Sequence, residues 1–257
     1  MDSAHQKSRD QFDKQSERYG KSHILADTSD LDAALKDIPL GSNHEALDIA
    51  TGGGHAGFYL ASLGVRVTFS DLSPAMLEGV KRRAQEEGWS AVTREHPAES
   101  LPYADGTFDV VTCRVAPHHF SNPAAFVRES SRVLRPGGHL LVIDGVSPDG
   151  QPEAAAWLHD VERYRDPSHG RLLTPSDWRA LFVDAGLRVK SAEVTRFQQP
   201  DMEWYFETAA TSPENRIRVE TLVAHAPESA RRLFSIENVG PHATWWWLRL
   251  SILGGKA

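Results

Sequence analysis

Leu47-Asp48-Ile49-Ala50-Thr51-Gly52-Gly53-Gly54-His55-Ala56-Gly57 is an apolar run that enters a cluster of glycines and emerges into a helical pattern. Gly52, Gly54 and Gly57 satisfy G-x-G-x-x-G, and Asp71 ends the next β-rich run 19 residues after Gly52. Glycines let the backbone pass close to a ligand, and the start of the following helix offers free N–H groups. An acid at the tip of the second strand can accept both hydroxyls of a ribose, so a nucleoside-containing cofactor is implied. A dinucleotide would set its pyrophosphate over the glycines, where the carboxylate of Asp48 repels it. S-adenosylmethionine carries no phosphate, and its ammonium is attracted by Asp48, directly or through water. No Tyr-x-x-x-Lys pair of the kind used by short-chain dehydrogenases follows Tyr19, Tyr59, Tyr103, Tyr164 or Tyr205.

Outward from this turn, short β-rich runs alternate with amphipathic ones, as in a parallel sheet covered by helices. Glu45 to Ala50, Val65 to Ser70, Phe108 to Val115 and His139 to Asp144 read as strands, with a weaker one at Ala91 to Glu95. Ser73-Pro74 and Asn122-Pro123 each offer an N-cap followed by Pro at the first helical position. Gly88 closes the first of these helices, and Pro136-Gly137-Gly138 stops the second. Further on, Gly150 to Tyr164 and Thr174 to Asp184 read as helices, Leu187 to Phe197 as a strand, and residues 200 to 237 as two or three helices. Ala243 to Leu253 reads as a final strand whose Trp245-Trp246-Trp247 is core on both faces. The chain is thus expected to form one domain over residues 1–257: an N-terminal cap or lid (1–44), a cofactor-binding core (45–150), and substrate-side helices with the final strands (151–257).

The 257 residues carry 28 Lys+Arg against 35 Asp+Glu, a net charge of -7, which gives no general attraction to phosphate backbones or anionic membranes. Nucleic acid is therefore not the expected partner. The lone Cys113 can form no intramolecular disulfide and no thiolate zinc site, and His5, His23, His44 and His225 lack metal-ligand spacing, so no metal is assigned. No run approaches the length of a membrane span, and the polar N-terminus has no signal-peptide pattern. A cytoplasmic location is expected, and the oligomeric state is left open.

Asp48-Ile49-Ala50-Thr51-Gly52-Gly53-Gly54-His55, Asp71-Leu72-Ser73-Pro74-Ala75-Met76-Leu77, Ala98-Glu99-Ser100-Leu101-Pro102-Tyr103, Phe108-Asp109-Val110-Val111 and Val133-Leu134-Arg135-Pro136-Gly137-Gly138 follow one another in register. Together they resemble the successive motifs of class I S-adenosylmethionine-dependent methyltransferases, in the small-molecule branch similar to ubiquinone and menaquinone biosynthesis enzymes. Arg165-Asp166-Pro167-Ser168-His169, Trp178 and Ala185-Gly186-Leu187 extend the likeness beyond the core. The resemblance implies an α/β, Rossmann-like, doubly wound seven-stranded sheet of order 3-2-1-4-5-7-6. Its last strand is antiparallel, a helical cap precedes it at the N-terminus, and a helical insertion comes before the last strand. By the same resemblance Asp48 and Gly52 hold the methionine moiety, Gly54 permits close approach, Asp71 binds the ribose, and Leu72 and Met76 pack on adenine. Ala98 and Glu99 face the adenine edge, and Arg114 completes the set. Ala50 replaces the first glycine of the usual run, and Pro97 removes a backbone donor beside Ala98.

Cys113-Arg114-Val115-Ala116-Pro117-His118-His119-Phe120 leaves the fourth strand where, in this fold, the methyl group meets its acceptor. Methyl transfer needs alignment and desolvation of the nucleophile, and a base where that nucleophile carries a proton. Histidine titrates in the right range, which makes His118 and then His119 the candidate bases; the alternative is that both pack behind the loop or cap the next helix. The segment lacks the Asn/Asp-Pro-Pro-Tyr/Phe signature of amino methyltransferases. Weaker candidates for touching substrate are Tyr19, paired with Phe12 in a lid, then Arg165 and His169, and Trp204 in an apolar pocket; an Arg165–Asp166 pair could equally stabilise its loop. The expected reaction is methyl transfer to carbon or oxygen of a small, apolar or aromatic acceptor. The competing readings are a non-catalytic S-adenosylmethionine-binding protein and an NAD(P)-dependent oxidoreductase.

S-adenosylmethionine is expected to bind and NADH not to, and Asp71→Ala should weaken cofactor binding by about 1 to 3 kcal/mol, because two hydroxyls lose a charged acceptor. Titration calorimetry on the folded variant checks both; an unchanged affinity would show that Asp71 does not face the ribose.

Overall fold

The computed structural model describes residues 3–20, 23–199 and 201–257, with backbone alone at 3–4, 14–20 and 23–24. Three helices come first, α1 (Ser3–Gly20), α2 (His23–Ala26) and α3 (Ser29–Leu35). A regular alternation follows: β1 (Glu45–Ile49), α4 (His55–Ser62), β2 (Arg66–Asp71), α5 (Pro74–Glu86), β3 (Val92–Glu95), β4 (Phe108–Arg114), α6 (Pro123–Val133) and β5 (Leu134–Gly145). The second half contains α7 (Pro152–Arg165), α8 (Pro175–Asp184), β6 (Leu187–Gln198), α9 (Met202–Glu207), α10 (Pro213–Ala224), α11 (Glu228–Phe234) and β7 (Trp246–Lys256). The described strands form one sheet of order β3-β2-β1-β4-β5-β7-β6, parallel from β3 to β5 and antiparallel at both β7 pairings. The strand order reverses between β1 and β4, and in open α/β sheets that switch point opens the ligand crevice at the strands' C-terminal ends.

Local chemistry explains the element ends. Ser73 Oγ accepts from Met76 N (3.1 Å) and Asn122 Oδ1 from Ala125 N (3.0 Å), each ahead of a proline at the first helical position. Thr174 and Asp177 close a reciprocal capping box on α8. Two apolar clusters cover the faces of the sheet, one with Phe126, Trp178 and Phe182, the other with Leu31, Leu60 and Phe69. A third lies between α7 and the α9–α11 insertion, built on Trp157, Tyr205, Phe234 and Trp245.

Several boundaries differ from the sequence expectation. β5 begins at Leu134 rather than His139, because Pro136-Gly137-Gly138 does not end pairing; it bulges, and β4 resumes register from Val110↔His139. β7 runs from Trp246 to Lys256 instead of Ala243 to Leu253: a 3₁₀ turn at Gly240–His242 occupies the approach, and the small Gly254 and Gly255 pair with β5. The tryptophan run is not uniformly core. Trp245 is fully buried ahead of the strand, Trp246 lies under the Arg196 guanidinium, and Trp247 forms the wall of a cavity.

Gly57 shows why α4 can sit so close to β2, since a Cβ there would lie 2.2 Å from the Phe69 ring. Gly57→Ala should therefore destabilise the protein by about 1 to 3 kcal/mol through overpacking. Chemical denaturation checks this, and an unchanged midpoint would mean that the helix can move off the sheet freely.

Candidate active site

The glycine turn is organised by a buried carboxylate. Asp48, at the end of β1, accepts from Thr112 Oγ1 on β4 (2.8 Å), from the backbone N–H of Gly57 on α4 (3.0 Å) and from Thr51 Oγ1 in the turn. Burial pushes its pKa up, while these three donors oppose that shift. The turn itself needs left-handed backbone at Ala50 (φ 51°), Gly52 (φ 51°) and Gly54 (φ 82°). Ala50 thus stands in a conformation that suits glycine, and the exchange noted in the sequence carries backbone strain. Gly54 lies outside the cavity lining; its Cβ would meet Phe58 at 2.8 Å, so its smallness serves packing at the start of α4.

Above this turn opens a cavity of about 920 Å³, counting its mouth, at the C-terminal ends of β1, β2 and β4. Asp48, Ala50, Gly52, Asp71, Leu72, Met76, Ala98, Glu99 and Arg114 all line it, as does His96; Pro97 does not. Asp71 accepts from Gly52 N (2.9 Å) on one oxygen and from Ser73 N (2.9 Å) on the other. A carboxylate offers about four lone pairs, so both oxygens keep accepting capacity for a ribose diol. Burial raises the Asp71 pKa to about 6, against those two backbone N–H groups. Glu99 Oε1 accepts from Ser121 N (3.0 Å), and its Oε2 lies 3.0 Å from His5 Nε2 on α1. The helix α1 covers the cavity with His5, Ser8 and Phe12. Tyr19 lies outside the residues whose side chains are described.

Arg114 departs from the expected role. Its guanidinium binds Asp30 (2.9 Å) and the carbonyls of Leu25 (2.8 Å) and Asp27 (2.6 Å), so it latches the α2–α3 segment while it lines the cavity.

A second cavity, about 1050 Å³ with its mouth, lies beyond β4, β5 and β7, and shares Leu25, Val115 and His119 with the first. Val115 holds φ 54°, an outlier for a β-branched residue, fixed by its N–H on Ile143 O (2.7 Å). His118 lines the second cavity alone. Its Nδ1 lies 2.7 Å from Asp144 Oδ1, and its backbone N–H donates to Asp144 Oδ2 (2.9 Å). A carboxylate can only accept, so Nδ1 carries the proton and Nε2 is the basic nitrogen of the neutral ring. Burial disfavours the charged ring, but Asp144, through its charge and hydrogen bond, together with the charges of Glu162 and Asp166, outweighs it and holds the His118 pKa above its ordinary value. His119 has its Nδ1 at 3.1 Å from Ser168 O and its ring edge-on to Phe12 (4.9 Å); burial and the adjacent His118 push its pKa down.

Arg165, His169 and Trp204 also border the second cavity. Arg165 pairs with Glu162 (3.2 Å), not Asp166, and also donates to Tyr205 O and Thr208 Oγ1 (both 2.9 Å). Glu162 in turn accepts from Tyr205 Oη and Trp247 Nε1 (both 2.9 Å), which sets the aromatic wall of Trp247, Trp204 and Phe197. Sequence reading missed Asp144, Glu162, Trp247 and Arg249; of these only Asp144, at the tip of a strand beside the switch point, carried a positional signal. Among the described residues no His/Cys/Asp/Glu group could hold a metal ion, and no helix is long and apolar enough to cross a membrane.

Residues 47–142 match the methyltransferase domain family. A Bacillus subtilis (strain 168) relative, the uncharacterized methyltransferase YcgJ, is 31% identical over 88% of this chain and 88% of its own length. This chain belongs to the methyltransferase family. It is an S-adenosylmethionine-dependent enzyme of that family. The YcgJ crystal structure superposes with a TM-score of 0.81 over 89% of this chain and 98% of its own, and a Bacillus halodurans C-125 protein at 29% identity reaches 0.83 over 89% and 99%. The 27-O-demethylrifamycin SV methyltransferase of Amycolatopsis mediterranei is 32% identical over 63% of this chain and 61% of its own. The first cavity of this methyltransferase fits the donor in its own chemistry: a carboxylate with spare lone pairs, a left-handed glycine turn, apolar Leu72 and Met76, and the field of Asp48.

If Asp71 accepts from a ribose diol, the ionised carboxylate accepts best, so S-adenosylhomocysteine affinity should be flat above pH 7 and fall as pH drops through about 6, where Asp71 takes up a proton. Calorimetry from pH 5 to 8 checks this; Asp71→Asn should abolish the dependence.

Proposed function

We propose that this methyltransferase methylates a hydroxyl oxygen, or the conjugated ring carbon beside it, of a small apolar or aromatic acceptor held in the second cavity. The observation that supports this reading is the His118–Asp144 pair, whose ring borders the cavity that meets the first one at Leu25, Val115 and His119. The Amycolatopsis relative, named for an O-demethylated small molecule, supports an oxygen acceptor.

When bound, S-adenosylmethionine supplies a methyl carbon on a positively charged sulfur. The protein's own contribution is to position and deprotonate the acceptor. His118 Nε2 takes the hydroxyl proton, and Asp144 stabilises the imidazolium that forms. Asp48, Gly52, Asp71, Leu72 and Met76 would hold the donor, which would supply the methyl carbon to the deprotonated acceptor. His119, uncharged and packed on Phe12, borders both cavities where they meet and helps to exclude water there. Trp247, Trp204 and Phe197 hold the acceptor's apolar body.

His118→Ala should lower kcat by about 10² to 10⁴ while leaving S-adenosylhomocysteine affinity within about twofold. Because the neutral ring is the base and Asp144 raises its pKa, activity should be lost as pH falls through a value above 6.5. Asp144→Asn should move that acid limb downward and reduce kcat. A kcat–pH profile for an acceptor found by screening phenols and quinols checks these; an unmoved limb in Asp144→Asn would remove His118 from the role of base.

A further inference from the structure

The last strand sets a positive charge beside the aromatic wall. Trp247 and Arg249 are two residues apart on β7, so they share one face of the sheet, about 7 Å apart along the strand. Phe197 of β6 pairs opposite Trp247, and Gly145 of β5 pairs opposite Arg249 and presents no side chain beside it. The Arg249 guanidinium lies over the Phe197 ring, 4.4 Å from its centroid, and all four residues border the second cavity.

Arg249 is short of acceptors. The carboxylate oxygen nearest to it, Asp30 Oδ2, lies 3.7 Å away, beyond hydrogen-bond reach, and Arg114 Nε already holds that oxygen at 2.9 Å. The other oxygen of Asp30 accepts from Leu31 N (2.9 Å). Among the described residues Arg249 makes no side-chain hydrogen bond, although its side chain is only 19% exposed and carries five N–H donors. Burial and the charge of Arg114 lower its pKa against the pull of Asp30, Asp144 and Asp27, and the guanidinium stays charged. The other charges at the cavity are answered: Glu162 by Arg165 (3.2 Å), Asp144 by His118 (2.7 Å), and Asp166 by the N–H (2.8 Å) and hydroxyl (2.7 Å) of Ser168. The unpartnered Nε2 of His169 is sealed from the cavity and offers a ligand nothing.

A largely buried cation with open donors is completed by an anion, and the planar fork of a guanidinium matches the two oxygens of a carboxylate. A doubly charged group would face Asp144, Glu162 and Asp166 with one open cation to answer it, so a single negative charge fits better. We infer that the acceptor carries a carboxylate, which Arg249 binds where β7 meets β5 while Trp247 and Phe197 hold the apolar body. This rests on the second cavity being the acceptor site. Arg249 is then a substrate-binding residue that separates hydroxy acids from neutral phenols, and the aromatic wall adds affinity that both share.

Calorimetry at pH 7 on the S-adenosylhomocysteine-saturated protein tests this with 4-hydroxybenzoate, 4-hydroxyphenylacetate and 6-hydroxy-2-naphthoate, each against its methyl ester. The three acids set the carboxylate at different distances from the hydroxyl, and at least one should bind about tenfold or more tightly than its ester. Arg249→Met, which keeps a long side chain on the Phe197 ring, should bring that acid down to its ester's affinity with the ester held within about threefold. Arg249→Lys should restore part of the preference. Esters that bind as tightly as all three acids, or an acid preference that survives Arg249→Met, would overturn the inference. The esters judge the acceptor-site reading separately: loss of their binding in Trp247→Ala upholds it whatever becomes of Arg249, and binding unmoved by Trp247→Ala removes it. If neither acids nor esters bind, both fall.

Discussion

The buried carboxylate of Asp48 is the constraint on which the site depends. An ionised group with almost no exposure costs several kcal/mol unless its lone pairs are filled, and here a turn hydroxyl, a helix N–H and a hydroxyl of the neighbouring strand fill them. Each donor comes from a different element. Satisfying Asp48 therefore fixes the glycine turn relative to α4 and β4 at once, and holds Ala50 in left-handed backbone that an unconstrained chain would leave. Gly52, so placed, turns its N–H to Asp71, and the two acids come to border one cavity.

A second consequence is the division of labour between neighbouring spaces. The first cavity is walled by short loops at the switch point and by α1, the second by the aromatic insertion, and Leu25, Val115 and His119 line both where they meet. The strained backbone of Val115 and the Arg114 latch on Leu25 and Asp27 hold two parts of that boundary in place.

Beneath the second cavity, Glu162 does for the aromatic wall what Asp48 does for the turn. It joins Arg165 on its own helix to Tyr205 in the insertion and Trp247 on the last strand. Such a carboxylate cannot be removed without leaving an indole N–H and a phenol unpaired, so the wall is set by polar bonds as much as by aromatic packing. Arg165 is drawn into the same network, which explains why it pairs inward and does not stand ready for substrate.

The sequence alone determined the parallel half of the sheet, its capped helices and much of the lining of the first cavity, because these depend on local periodicity, turn glycines and caps whose partners lie a few residues away. Asp48, Asp71, Leu72, Met76, Ala98 and Glu99 were legible for that reason: they stand at fixed offsets from one turn. It also placed His118 at the mouth of β4. Only the tertiary structure decided what His118 pairs with, since Asp144 is 26 residues away and meets it through strand pairing. Nor could any spacing show that Trp247 turns from core to cavity wall, that Arg114 spends its donors on the N-terminal segment, or that His169 is left with an unpaired nitrogen. Those facts arise where elements remote in sequence are packed together, and long-range packing leaves no period to read.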